Sequence, residues 1–444
     1  MATSLTFLKR KKEKEMEILS NKGFSLLIPC YNEESILETA INGIKRLNYK
    51  DIEILYINDG SKDNTLKMLN DFLILEKCER KPNGYLESER VNDFYQSSIY
   101  HNVYVIDKVN GGKADSLNAG TNYASKEYII TLDADSVLDD SALGIVNGHL
   151  QKNNVVAAGG TVQILQGRDF QNLISKPSLS LKHIIRFQIF EYLRGFYVYK
   201  LSLAKLNALA IISGAFGIFN KEVLNQVGGY RKTIGEDIDI TLRFQEYVLN
   251  NPDKKIVYIP EAICYTECPE NWLDLFKQRV RWQKAFMDCV IKFRGLFFKT
   301  FLSRSLSFFV VVDSLFVGIF STYMSFLSLI VVALKPSIQS KEILLTYAII
   351  TLICNLTYTI VALIIAKSYG LSFKKSEMLK IINTLLMDLF IFRFISVFFI
   401  LYGSIAYFFN KHDWNKVART GRNYQIKPII ENIDVLKNTH TNNL

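Results

Sequence analysis

No two cysteines in this chain are spaced CxxC, although six are present among 444 residues: Cys30, Cys78, Cys264, Cys268, Cys289 and Cys354. Most lie in apolar surroundings, which reads as small core residues in a reducing compartment rather than a redox or zinc motif. No GxxxxGK[ST] occurs, so a P-loop is excluded. No GxGxxG follows a strand-like run either, so a dinucleotide fold is not expected. The opening "MATSLTFLKRKKEKEMEILSNKG" is basic but lacks an apolar h-region, so residues 1–23 read as a solvated tail rather than a signal peptide. Internal repeats and low-complexity tracts are also missing. The formal net charge of +10 would suit nucleic acid. However, the lysines and arginines lie largely beside apolar segments, where they suit an anionic membrane surface, so no nucleic-acid partner is expected.

Long apolar runs are what the carboxyl-terminal part has in abundance. Residues 306–334, 343–366 and 382–409 form three candidate spans within a membrane segment at 303–410, each long enough for a bilayer that takes roughly 20 apolar residues. The third carries Asp388 and Arg393 near its middle. Membrane lipid is therefore an expected partner, and 411–444 reads as a polar basic tail. Three full crossings would put "KHDWNKVARTGR" outside, against the positive-inside rule. A cytosolic carboxyl terminus is expected instead, with one apolar segment interfacial or bent.

Residues 24–300 read as a soluble α/β domain. "FSLLIPCYNEE" is a short apolar run followed by a loop, with Asn32 set to open a helix and Glu33 and Glu34 in its first turn. "DIEILYINDGSKDNT" repeats strand, loop and helix start, and "NVYVIDKVNGGKADSLNAG" and "EYIITLDADS" supply two more strands. Such alternation implies a mostly parallel sheet with ligands at the carboxyl ends of its strands. Residues 76–101 read as a polar surface insertion. Residues 181–200 and 272–300 have helical apolar spacing, suited to lying on a membrane or covering the sheet.

Asp133 and Asp135 are spaced so that an extended strand would point both to one face. Two like charges there suit a divalent cation of the Mg²⁺ or Mn²⁺ kind, which in turn holds substrate phosphates. Asp59 ends another strand, and Gly111 and Gly112 allow close backbone approach beside Lys113 and Asp115. Taken together these residues describe a nucleotide pocket with a metal.

"IPCYNEE", "NDGSKDNT", "NGGKADSLNAG", "LDADS", "ISGAFGIFNKEVLNQVGGY", "GEDIDITLRF" and "QRVRW" follow one another in order ahead of the apolar runs. In this the chain resembles the processive members of glycosyltransferase family 2, the group of cellulose, chitin, hyaluronan and poly-N-acetylglucosamine synthases. The resemblance implies a cytoplasmic GT-A catalytic domain over 24–300, a multi-pass plasma-membrane location, a UDP-sugar donor and a polysaccharide acceptor. Of the donor sugars, N-acetylglucosamine ranks ahead of glucose. It also implies roles: Asp59 and Asp115 at uridine and ribose, Asp133 and Asp135 at metal and diphosphate, and Lys113 in the donor pocket. Asp237 is then the base, and Gln278, Arg281 and Trp282 lie against diphosphate and acceptor, with Ser213, Gly214, Ala215 and Phe216 at the acceptor end. A non-processive transferase acting on a lipid-phosphate acceptor is the alternative, against which "QRVRW" argues, and a non-catalytic sugar-binding or export subunit is a third. Many members carry membrane helices ahead of the catalytic domain, whereas here that domain begins within the first 30 residues. Accessory membrane or export subunits are therefore possible partners.

Overall fold

The computed structural model describes residues 20–409 apart from 152–153, 169–175 and 335–336. The expected amino-terminal tail before residue 20 and the basic tail at 411–444 lie outside the described residues.

One ten-stranded sheet organises the part of the chain ahead of the apolar helices. Its strands are β1 (Phe24–Cys30), β2 (Ile52–Asp59), β3 (Leu75–Lys77), β4 (Val91–Ser97), β5 (Val103–Lys108), β6 (Tyr128–Thr131), β7 (Ser136–Leu138), β8 (Val155–Ile164), β9 (Gly217–Asn220) and β10 (Lys255–Thr266). They lie in the order β3-β4-β5-β2-β1-β6-β9-β8-β10-β7. The near-continuous apolar sequences of β1 and β2 follow from burial on both faces, as parallel central strands require. Helices α1 (Leu37–Ile44), α2 (Thr65–Leu73), α3 (Lys113–Tyr123) and α4 (Ala142–Leu150) cross over between the strands of the first half.

Three expectations need correcting. The sheet is mixed, not mostly parallel. The block β5-β2-β1-β6 is parallel, but β3/β4, β4/β5, β6/β9, β8/β9 and β7/β10 pair antiparallel. The stretch 76–101 contributes β4 and most of β3 to the sheet edge, where Arg80 pairs with buried Glu53 at 2.9 Å. Asn32 opens no helix: with φ 55° it ties two loops together, its side-chain oxygen accepting from the Lys62 amide at 2.7 Å, and α1 starts only at Leu37.

Helix α5 (His183–Arg194) covers β8 with Ile184, Ile185 and Phe190 and turns its other side to the apolar helices. The reading of this stretch as a helix covering the sheet is the one these contacts bear on. Helix α6 (Glu236–Asn250) and helix α7 (Trp272–Lys292) complete the domain. Three further helices, Ser305–Leu334, Glu342–Ser368 and Lys375–Phe409, are long and apolar enough to cross a membrane.

The third apolar helix touches the α/β domain along its length. Lys380 donates to Ser180 at 2.7 Å, Phe392 stacks on Phe187 at 5.3 Å, Phe276 meets Phe399 at 5.9 Å, and Tyr407 donates to Asp288 at 3.0 Å. Asp388, fully buried, receives Arg194 of α5 at 2.9 and 3.3 Å and Asn355 of the second apolar helix at 3.0 Å. Arg194 also reaches Thr359. The charge noted in the middle of the third run is thus matched by a charge from the α/β domain.

Candidate active site

The carboxyl ends of β2, β5 and β6 and the start of α6 converge on one cleft, and the sequence explains why. Gly112, at φ 92°, caps α3 and turns the chain so that the Gly111 and Gly112 amides donate to the Asp59 carboxylate at 3.0 and 2.8 Å. A Cβ on Gly111 would collide with the Asp115 side chain, so the glycine keeps that carboxylate close. Asp59 and Asp115 are joined by Lys108, a lysine the sequence reading passed over. Its fully buried ammonium lies 2.8 Å from Asp59 and 2.5 Å from Asp115 and donates to the Val109 carbonyl at 2.6 Å. Two of its protons are thus given to Asp59 and Val109, and its charge faces Asp115 as well. Glu89, in the stretch read as an insertion without chemistry, donates its amide to Asp115 at 2.9 Å.

Asp133 and Asp135 do not stand on a strand. β6 ends at Thr131, and the pair lies in a tight turn closed by the Ser136 amide on the Asp133 carbonyl at 2.9 Å, after which β7 begins. The shared strand face expected from their spacing is absent, because the chain must reverse toward β10. Asp133 keeps 30% of its side-chain exposure and receives Lys113 at 2.6 Å. Asp135 is buried and accepts from Thr266 and Ser136, each at 3.2 Å.

Lys113 spans to Glu236 at 3.2 Å, at the first turn of α6. Burial works against its charge, but Asp133, Glu236 and Asp237 outweigh that effect and hold its pKa above the ordinary lysine value. Asp237 shows the opposite case. Burial first and the neighbouring Glu236 second raise its pKa to about 6, despite Lys113, Lys200 and the Ile238 amide favouring the anion. Lys200 is pushed down to about 8 by burial. Asp239, two residues on, is fully buried and held by Arg243 at 2.8 Å, a structural pair within α6.

Gly214 lies against this cluster. Its amide approaches Asp237 at 3.4 Å, and a Cβ there would stand 3.0 Å from the Lys113 ammonium. Ser213 and Gly214 line the pocket above Asp237 together with Glu236 and Tyr230. Phe216, by contrast, is fully buried against Gly160, and Ala215 is buried with it, so these two support the loop from beneath.

Gln278, Arg281 and Trp282 share one side of α7, being spaced i, i+3 and i+4. That helix meets the start of α6: a Cβ on Gly235 would come within 2.7 Å of Ala285, one turn beyond Arg281. Gln278 is buried, and Arg281 makes no ion pair with any described residue. Trp282 remains 42% exposed under the guanidinium of Arg279, which lies 4.1 Å from the ring centre. Arg279 is the second residue that sequence reasoning missed.

A family model described as Glycosyl transferase family 2 matches residues 25–228, and one described as Glycosyl transferase family group 2 matches residues 128–367. The chain is 30% identical over 314 residues to a poly-beta-1,6-N-acetyl-D-glucosamine synthase of Staphylococcus epidermidis, covering 69% of this chain and 65% of that protein. It is 27% identical over 320 residues to the synthase of the same name from Staphylococcus aureus (strain COL), covering 72% and 67%. The match to the first thus spans less than two thirds of its length. Among solved structures, a mannosyltransferase from Pyrobaculum calidifontis, described in complex with GDP-Man and Mn2+, superposes with a TM-score of 0.54 at 16% identity, over 81% of this chain and 91% of that one. At that identity the likeness speaks for the fold, and it agrees with a GT-A arrangement of a mixed sheet. Because the second family match alone runs from the start of β6 to the end of the second apolar helix, more than half of the chain, the protein belongs to the family 2 glycosyl transferases.

Proposed function

We propose that the chain is a membrane-bound, inverting glycosyltransferase that moves N-acetylglucosamine from a UDP donor to the non-reducing end of a growing β-linked polysaccharide. The observation that carries this reading is the Asp237 carboxylate, raised to about 6 beside Lys113 and the Gly214 amide in a cleft at the carboxyl ends of the strands. A carboxylate tuned toward neutrality is a serviceable base for a hydroxyl. As the acceptor oxygen bonds to the anomeric carbon, its proton passes to Asp237. The bond from that carbon to the diphosphate oxygen breaks, and the electron pair leaves with UDP. Arg281 then offsets charge on the diphosphate, Trp282 offers a flat surface to the acceptor ring, and Asp59 and Asp115 hold the nucleoside side of the donor.

Asp133 and Asp135 provide two hard oxygen donors on one turn. Among the described residues no group of three or more His, Cys, Asp or Glu forms a closed metal cage. This donor set fits Mg²⁺ or Mn²⁺, which are often held by one or two carboxylates with phosphate and water completing the shell. When bound, the cation would offset negative charge on the leaving diphosphate. The names of the staphylococcal relatives favour N-acetylglucosamine over glucose.

The catalytic domain, residues 24–300, faces the cytoplasm of a plasma membrane, where UDP-sugars are made. Residues 367–380 share that side, supported by the Lys380–Ser180 bond and the stacking of Phe373 on Phe190. The contacts of the third apolar helix with the domain support an interfacial course and a cytoplasmic carboxyl terminus. Export of the product engages the remaining apolar helices, with accessory membrane subunits.

UDP release by the purified protein across UDP-N-acetylglucosamine, UDP-glucose, UDP-galactose and UDP-glucuronate, with mass analysis of the product, tests the whole reading. UDP-N-acetylglucosamine should dominate and yield a polymer. Dominance of another donor overturns the sugar, and no UDP release with any donor overturns the function.

A further inference from the structure

The "QRVRW" stretch contains a second arginine whose surroundings are more specific than those of Arg281. Arg279 is only 7% exposed, yet it uses its guanidinium in three directions. One amino group donates to Gln278 Oε1 at 2.7 Å and the other to Glu191 Oε2 of α5 at 2.6 Å. The plane of the group lies over Trp282, 4.1 Å from the ring centre. A cation on the indole face is attracted by the ring quadrupole, and a planar fork fixed at both ends cannot swing with the ring. Trp282 is therefore covered on one face and left 42% exposed elsewhere, as a surface awaiting a flat apolar partner would be.

We infer that Arg279, anchored by Glu191, is a positioning residue that fixes the plane of Trp282 for the face of the acceptor sugar. The inference rests on the proposed acceptor role of Trp282 and adds how that role is held in place. A lysine at 279 would keep the charge but lose both the fork and the stacking plane. Glu191 comes from the helix that covers β8, so the orientation of Trp282 is referred to the sheet rather than left to α7 alone.

The test uses the full-length protein carrying Trp272→Phe and Trp414→Phe, which leaves Trp282 as its single tryptophan. Arg279→Lys and Glu191→Gln are introduced separately and together, and a short β-linked N-acetylglucosamine oligosaccharide serves as acceptor. In Arg279→Lys the Trp282 emission maximum and its quenching by acrylamide should shift, and the acceptor KM should rise about tenfold with kcat within about threefold. UDP affinity by calorimetry should stay within about twofold, which also reports that the variant is folded. Glu191→Gln should move the same quantities in the same direction, and the double variant should add little, because both act through one contact. Unchanged Trp282 emission and quenching would overturn the inference, as would a fall in kcat with acceptor KM unchanged, or a loss of UDP affinity. Should the parent protein form no polymer, the proposed function falls, and the emission of Trp282 still decides whether Arg279 holds the ring.

Discussion

Lys113 and Asp133 meet at 2.6 Å across the cleft, and the same ammonium reaches the residue that precedes Asp237. Lys113 is one of the two positive charges that keep the Asp237 pKa from rising further. Turnover should therefore fall as the pH drops through about 6, where Asp237 takes up a proton, and level off above it. In Lys113→Gln, removing a neighbouring cation disfavours the anion, so the acid limb of the kcat profile should move to higher pH. A limb that stays where it was would show that another group is titrating.

Asp237→Asn keeps the shape of the site and removes the proton acceptor. The transfer rate should fall by roughly 100- to 10,000-fold with donor affinity barely changed. Stability should move the other way. A carboxyl whose folded pKa is raised favours the fold most at low pH and loses that contribution as the pH rises through about 6, so at pH 7.5 the charged Asp237 is a burden on the fold. The neutral asparagine should raise the melting temperature by a few degrees, as is common where a strained catalytic group is relieved. Loss of UDP-sugar binding with transfer retained at high donor concentration would assign Asp237 to the donor pocket instead, and attention would pass to Glu236.

Chelation with excess EDTA should abolish turnover and weaken UDP-sugar binding, because Asp133 and Asp135 would otherwise oppose the diphosphate charge. Asp135→Ala should reproduce the loss of donor affinity in a calorimetric titration even with Mg²⁺ or Mn²⁺ supplied. Full activity in EDTA, or unchanged donor affinity in Asp135→Ala, would remove the metal role from this turn.

A reporter fused after residue 444 tests the course of the third apolar helix. Its contacts with Ser180, Phe187, Phe276 and Asp288 favour a cytoplasmic end. Activity of a cytoplasm-dependent reporter is the expected outcome. A reporter active only outside the cell would make that helix a full crossing.

How far the sequence could be read depended on how local the deciding contacts are. β1, β2, β5 and β6 announce themselves by apolar runs ending in glycine, asparagine or aspartate, and α5 and α7 by their periodic apolar faces. The antiparallel strands were harder. β9 is four residues long and is a strand only because Thr131 and Gly159 lie on either side of Gly217. The turn at Asp133 reads as strand continuation until β7 is known to pair with β10. Lys108 sits at the end of a strand, where a lysine ordinarily faces water, and its partner Asp59 is 49 residues away. Arg279 looked like one more basic residue on an amphipathic helix because Glu191, 88 residues earlier, is invisible to local pattern. The acidic and glycine motifs were legible, as was Lys113 beside them, whereas the buried Lys108 and Arg279 were not.

The Arg194–Asp388 pair sets an order on the making of the protein. Its members are 194 residues apart, and the remainder of the α/β domain, with β9 and β10, and two apolar helices are synthesised between them. Until the third apolar helix leaves the ribosome, the guanidinium of α5 has no Asp388 to meet, and a buried charge without its partner is costly enough to keep that surface open. The domain can collapse around its sheet early, but the side of α5 that meets the apolar helices closes only once the third of them has been made. Removing the third helix should therefore leave an α/β domain that is finished in sequence and unfinished in structure.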